Sequence, residues 1–158
     1  MAERTKQAGR PQAVSRRTSR EHEMMVRAIQ ALEGALASPA PRRERAWAQR
    51  TRRELATVIG SLQEHCESAE SPEGILTEVE QRIGRASEVS QARREHDKLL
   101  RDAMSLLSAL DEFQRDQELS YPEVRRRALQ LTARLRSHQA READLLMFAF
   151  QQDIGVGD

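Results

Sequence analysis

Apolar residues recur at alternating intervals of three and four positions along four long segments of the chain. This spacing puts them on one face of an α-helix and is typical of helices that pack together in a bundle. The four stripes are His22, Met25, Ile29, Leu32 and Leu36; Leu55, Val58, Leu62, His65 and Ala69; Val89, Ala92, His96, Leu99, Ala103, Leu106 and Leu110; and Ala128, Leu131, Leu135, His138, Glu142, Leu145 and Ala149. The pattern therefore predicts four long helices, each with one face toward a shared core.

The residues between the stripes predict where the helices begin and end. A capping-box pattern at residues 18–21 predicts the start of the first helix, and proline-containing breaks at residues 38–41 and 71–74 predict the ends of the first and second. Residues 74–86 carry a short amphipathic pattern, and Pro122 suits the first turn of the fourth long helix. We therefore predict an all-α protein, an antiparallel up-down-up-down four-helix bundle with a short extra helix between the second and third long helices.

Composition and charge narrow the classes of function. Aromatic residues make up only 3% of the chain, and the net charge of +1 gives no overall field that would attract nucleic acid or an acidic membrane. No apolar run approaches the length of a membrane span. The single cysteine, Cys66, fits a reducing compartment and is expected to be a buried, unreactive thiol. A cytoplasmic protein without a membrane partner is the expectation.

The N-terminal segment, residues 1–18, is rich in arginine and lacks apolar periodicity. Such a segment buries too little surface to offset the entropy of ordering it, so we predict a flexible tail over residues 1–18 and a bundle domain over residues 19–158. Contact with nucleic acid or an anionic surface is an alternative for this tail, as is a transit peptide. We expect no nucleic-acid partner for the protein as a whole.

Each predicted long helix contributes one of the four histidines. His22 and His65 are nearly equidistant from the break between the first two helices, and His96 and His138 are equidistant from Gln117 in the polar loop before the last helix. An up-down-up-down topology then brings all four imidazoles to one layer. Isolated histidines in a core are usually hydrogen-bonded residues, but four buried together are costly without a partner. Because imidazole binds iron, zinc, copper and nickel, this layer predicts a metal site.

Glu142 adds a carboxylate to the predicted layer. It follows His138 by four residues, so the two side chains lie on the same helix face, one turn apart. A carboxylate there can bind one metal ion or bridge two. The alternative is an exposed charge or an ion pair with a neighbouring arginine, which its place on the apolar stripe disfavours.

This set of residues resembles the hemerythrin-like (HHE cation-binding) family. Members carry a histidine on the first helix, H-x-x-x-E on the second, a histidine on the third and H-x-x-x-E on the fourth. The matching positions here are His22, His65, His96, His138 and Glu142. The resemblance covers about residues 19–158. It implies a site for one or two non-haem iron ions, or another divalent metal, and a small ligand such as dioxygen, nitric oxide or peroxide.

The chain departs from the family pattern at one ligand. Ala69 stands where the second-helix carboxylate is expected, and Glu70 follows it. Five residues correspond to a rotation of about 140° from His65, so Glu70 should reach the site only if the helix unwinds as it ends. Three outcomes stay open: a di-iron site completed by Glu70 or solvent, a site for one ion, and a site without metal.

Two classes of function follow. The first is a binding, sensing or detoxifying iron protein, and an enzyme that decomposes peroxide or oxidises iron would use the same residues. The second is a metal-free bundle that acts as an interaction or regulatory module, and Ala69 is its main support. The sequence contains no nucleophile–base arrangement, glycine-rich phosphate loop or acidic pair that would indicate another reaction.

Overall fold

The computed structural model describes the backbone of residues 10–38, 40–115 and 119–154. Within these ranges all regular structure is helical, and the helices are α1 (Arg10–Ala37), α2 (Glu44–Glu70), α3 (Ile75–Ile83), α4 (Ala86–Gln114) and α5 (Tyr121–Ile154). The all-α class is confirmed, and so is the short helix, α3, in its predicted place. None of the described helices combines the length and apolarity needed to cross a membrane.

The first helix begins earlier than its capping pattern indicates. α1 starts at Arg10, so the predicted start at residues 18–21 is wrong. Two features explain this difference: residues 10–17 contain good helix formers, and the Arg17 side chain donates a hydrogen bond to Glu21 on the next turn at 3.0 Å. The remainder of the predicted tail, residues 1–9, lies outside the described residues.

The four long helices form a closed ring of contacts. α1 packs against α2 and α5, and α4 packs against α2 and α5. The predicted stripes face the inside of this ring, and every apolar position in them is buried. Full burial of one such leucine contributes about 1.5–3 kcal/mol, so the stripes supply the main stabilisation of the bundle.

The short helix α3 covers one end of the ring. It contacts α2, α4 and α5 and contributes to a second apolar cluster, separate from the main core. The members of this end cluster are Ala69, Ile75, Leu76, Val79, Val89, Ala92, Leu145 and Ala149. Gly74 permits the tight connection into α3, because a Cβ atom there would collide with the main-chain oxygens of Ser68 and Ala69. Gly84 follows the last residue of α3 as its C-cap, and its left-handed φ of 63° suits glycine.

Polar side chains join neighbouring long helices along their outer edges. The bonded pairs between α5 and α4 are Arg127 with Ser105, Arg134 with Asp102 and Arg141 with Glu95, and the pair between α2 and α4 is Arg52 with Asp111. Such exposed bonds contribute little stability, about 0–1 kcal/mol each. They do specify which turns of adjacent helices lie side by side.

Candidate metal centre

Three histidines from three helices meet inside the bundle. The ring centroids of His65 on α2 and His96 on α4 are 5.1 Å apart, and that of His138 on α5 lies 4.8 Å from His96 and 6.3 Å from His65. On each helix the histidine lies between a residue of the main core and a residue of the end cluster. The flanking pairs are Leu62 and Ala69, Leu99 and Ala92, and Leu135 and Leu145. The imidazoles thus form one polar layer between two apolar ones.

Glu142 places a single carboxylate oxygen among the three imidazoles. Its Oε2 atom lies 3.0 Å from His65 Nε2, 3.4 Å from His96 Nε2 and 2.9 Å from His138 Nε2. Burial raises the pKa of this carboxyl group, but its polar contacts with the three imidazoles outweigh burial and hold the pKa well below its ordinary value. Glu142 is therefore ionised and strongly attracts positive charge to the layer.

The outer nitrogens of two imidazoles are held by further carboxylates. His96 Nδ1 lies 2.6 Å from Glu70 Oε1, and His138 Nδ1 lies 2.8 Å from Glu95 Oε2. A carboxylate behind a histidine fixes the orientation of the ring and makes its other nitrogen a better metal ligand. Both rings consequently present their Nε2 atoms to the centre of the layer.

Glu95 is in turn held in place from the α4–α5 surface. It accepts hydrogen bonds from Gln91 at 3.1 Å and from Arg141 Nε at 3.3 Å. Burial raises the pKa of Glu95, but these bonds and the one with His138 outweigh it and leave the pKa lowered. Sequence reasoning missed Glu95. Its position in the sequence could have indicated this role. Glu95 directly precedes His96, and His96 and His138 are equidistant from Gln117 in the loop between their helices, so Glu95 lies at nearly the same height as His138.

His138 has more acceptors around it than a neutral ring can satisfy. A neutral imidazole carries one N–H, yet carboxylate oxygens lie within 3 Å of both ring nitrogens, at 2.8 Å and 2.9 Å. The Nε2 contact is misaligned, so this buried atom has no hydrogen-bond partner among the described residues. Burial lowers the pKa of His138, but Glu142 and Glu95 outweigh burial and raise it. The ring therefore needs a second proton or a metal ion at Nε2.

Glu70 reaches the layer by a route that the sequence did not predict. It is the last residue of α2, and the helix continues to it without unwinding. It bonds the outer nitrogen of His96 rather than the inner one, which agrees with its rotation away from the face of His65. Ala69 packs into the apolar end cluster instead. Glu70 thus stands behind His96 and lies outside the group around Glu142.

His22 is apart from the other three histidines. Its side chain is exposed, and it lies on the wall of a cavity of about 420 Å³ between α1 and α5, which His65, His138 and Glu142 also line. In the group around Glu142, the donor atoms that lie within 4.8 Å of one another belong to His65, His96, His138 and Glu142, and His22 is outside this group. A role for His22 as a ligand stays a prediction.

Two cavities reach the polar layer from different sides. The α1–α5 cavity has mostly apolar walls, which include Met25, Leu62, Ile75, Leu135 and Leu146. The wall of the α4–α5 cavity, of about 350 Å³, is also mostly apolar, but its lining includes the charged residues Arg85, Glu88, Glu95, Arg141 and Asp144. His138 and Glu142 line both. Small molecules therefore have room to approach the layer.

Cys66 is buried beside the layer, which confirms the prediction of a buried thiol. Burial, and then the nearby carboxylates of Glu70, Glu142 and Asp97, raise its pKa to about 12. A thiol that keeps its proton is a poor nucleophile, so without a cation Cys66 is unreactive.

No protein-family model, curated protein or solved structure matches this chain. Three imidazole nitrogens and a carboxylate oxygen form a donor set for a divalent metal ion, and the buried Nε2 atom of His138 without a bonded partner fits such an ion.

Proposed function

We propose that this chain is a hemerythrin-like non-haem iron protein that binds, senses or detoxifies a small ligand such as dioxygen, nitric oxide or peroxide. His65, His96, His138 and Glu142 are the proposed ligands of the metal. One observation carries the proposal: both ring nitrogens of buried His138 face carboxylates, and its Nε2 atom lacks a bonded partner among the described residues. A cation at that nitrogen resolves both features.

The donor set favours one ion at this position. The three Nε2 atoms surround one oxygen of Glu142, and the nearby Glu70 and Glu95 are engaged at outer nitrogens. A di-iron site normally draws on more carboxylates than remain. Ferrous iron bound by imidazole and carboxylate supplies open coordination positions for a small ligand.

The protein's own residues prepare the site for such a ligand. Glu70 and Glu95 orient two rings, and the apolar residues above and below the layer keep water away on those two sides. The α1–α5 cavity admits a diatomic molecule or peroxide, and His22 on its wall is positioned to meet the incoming ligand or to approach the metal. An enzymatic use of the same site, such as peroxide decomposition, needs no further residues.

The proposal includes an antiparallel up-down-up-down topology and a cytoplasmic location. The bonds between α4 and α5 support the antiparallel topology, because residue numbers fall along one helix as they rise along the other. Ser105, Asp102 and Glu95 of α4 bond Arg127, Arg134 and Arg141 of α5, in that order. The free thiol of Cys66 supports the cytoplasmic location, since it suits a reducing compartment.

A metal-free regulatory bundle is the second candidate function. It is favoured by the fact that the layer is already connected without a metal, because His65 contacts Glu142 at 3.0 Å and His96 contacts Glu70 at 2.6 Å. In this case protons rather than a metal would neutralise the carboxylates, and the layer would respond to pH.

Iron loading separates the two candidates. The protein is purified without oxygen in the presence of ferrous iron, and iron per chain and the thermal unfolding temperature are measured. We expect about one iron per chain and a higher unfolding temperature with iron, because an ion that binds only the folded state stabilises it. Nitric oxide or air should then change the visible spectrum. Absence of bound iron together with an unchanged unfolding temperature would contradict the proposal and favour the metal-free bundle.

Matched variants test the assignment of ligands. His138→Ala should abolish iron binding, whereas His22→Ala makes the same replacement at an exposed histidine outside the group and should retain most of it. Equal loss in both variants would show that α1 supplies an essential ligand. Full binding in His138→Ala would show that the proposed centre is wrong.

A further inference from the structure

The geometry points to a second metal position, formed by Cys66, Glu70 and His96, that takes a thiophilic divalent ion such as zinc. It lies on the outer side of the His96 ring, whereas the proposed iron centre lies on the inner side. The ring separates the two groups because its Nε2 atom faces Glu142 and its Nδ1 atom faces Glu70. A neutral imidazole has one unprotonated nitrogen, so His96 binds an ion at Nδ1 while Nε2 keeps its proton, and the thiolate position is a property of the iron-free protein.

Two helices bring its three donors together. Cys66 and Glu70 are four residues apart on α2, so their side chains lie on neighbouring turns of one face, and His96 meets them from α4. The sulfur, a carboxylate oxygen and a ring nitrogen all lie within 4.8 Å of one another. Zinc binds sulfur at about 2.3 Å and nitrogen at about 2.1 Å, so two such donors of one ion can be roughly 4.4 Å apart at most. Small side-chain movements therefore close the group around an ion.

The surroundings of the sulfur suit a cation. Cys66 and His96 are buried, and Glu70 is partly exposed, which leaves water access for a fourth ligand. Glu70 places a carboxylate beside both the sulfur and the His96 ring, so the group itself supplies negative charge for an ion. When the ion binds, the S–H bond of Cys66 breaks, its proton passes to water and a sulfur–metal bond forms without any change of oxidation state. His96 keeps its one proton on Nε2 and binds the ion through the lone pair of Nδ1.

The donor types select the metal. Thiolate ligands favour zinc and similar borderline or soft ions over magnesium and calcium, which prefer oxygen. The inner group, by contrast, contains imidazole and carboxylate donors without sulfur. The two sides of His96 therefore differ in the metals that they prefer.

Anaerobic titration with cobalt(II) tests this position, because cobalt replaces zinc and gives a thiolate-to-cobalt charge-transfer band in the near ultraviolet. We expect the band in the full-length wild-type protein and its loss in Cys66→Ser. His65→Ala is the matched control, since His65 belongs only to the inner group, and it should retain the band. Absence of the band in wild type at saturating cobalt would overturn the proposal. Its loss in His65→Ala would also overturn it, because one shared cluster would then bind the metal.

A second pair of variants guards against a folding defect in Cys66→Ser. Glu70→Gln removes a proposed ligand near the surface. The cobalt affinity, measured from the intensity of the thiolate band, should fall about tenfold or more. Glu67→Gln makes the same change at an exposed glutamate of α2 outside the group and should leave the affinity unchanged. Equal affinities in both variants would refute the role of Glu70. A thiolate band in a protein that binds no iron would refute the proposed function alone.

Discussion

Replacing Glu142 with glutamine removes the one negative charge that all three clustered imidazoles face. The side chain is only 7% exposed, and its Oε2 atom lies 3.0 Å from His65 and 2.9 Å from His138. Removing one partner of a buried ion pair costs about 3–5 kcal/mol. Because the amide keeps the shape and can still accept a hydrogen bond, we expect the lower end, about 3 kcal/mol. For a domain of this size, about 3 kcal/mol lowers the unfolding temperature by roughly 6–12 °C.

Urea unfolding of the metal-free protein, followed by circular dichroism, measures this loss. At about pH 6, below the ordinary histidine pKa of about 6.5, His138 carries its extra proton and the effect should be largest. Glu33→Gln is the control, because Glu33 pairs with Arg136 at 2.8 Å on the surface and its loss should cost about 1 kcal/mol or less. Equal losses for the two variants at about pH 6 would refute the reasoning. So would a loss in Glu142→Gln that is undiminished at about pH 9, because most imidazolium charge is then gone.

Three further predictions concern the stability of the metal-free protein. The folded-state pKa of His138 is raised, so its contribution to stability is complete below the unfolded pKa of about 6.5 and is lost as the pH rises through the folded pKa. The urea midpoint should therefore fall from mildly acidic to alkaline pH. If the midpoint of His138→Gln falls with pH just as steeply, the prediction is contradicted. Ala69→Glu buries a carboxylate in the end cluster and should cost about 3–5 kcal/mol by urea unfolding, whereas an unchanged midpoint would mean that the new carboxylate finds a partner. Gly74→Ala should lower the thermal unfolding temperature, with a cost of about 1–3 kcal/mol, because the new Cβ meets main-chain oxygens. Gly60→Ala, in open space within α2, should stabilise by about 0.5–1 kcal/mol, and equal effects of the two alanines would refute the close contact at Gly74.

The helical core could be predicted from the sequence because burial in a bundle follows a short repeat. The apolar stripe positions of all four long helices are buried, and the short pattern after the second break forms α3. Distance along the chain from the loops predicted one layer for all four histidines, since consecutive helices rise at the same rate per residue. His65, His96 and His138 meet as predicted, whereas His22 lies outside their group.

The remaining features depend on relations between helices that a periodic pattern does not encode. Glu95 reaches His138 across the α4–α5 interface, and its role depends on the direction of the His138 ring. Glu70 bonds an outer nitrogen, so its position on another face of α2 proved compatible with a contact to His96. His22 fits the stripe of α1 yet is exposed, because a helical stripe gives the direction of a side chain but not how closely the helix approaches its neighbours.

His138 and Glu142 line both the α1–α5 and the α4–α5 cavities, so together they act as a partition across the end of the bundle. Both cavities have mostly apolar walls, but the lining of the α4–α5 cavity also includes five charged residues besides Glu142. The two side chains are therefore open to small molecules from two directions, and a molecule in one cavity leaves the approach through the other cavity free.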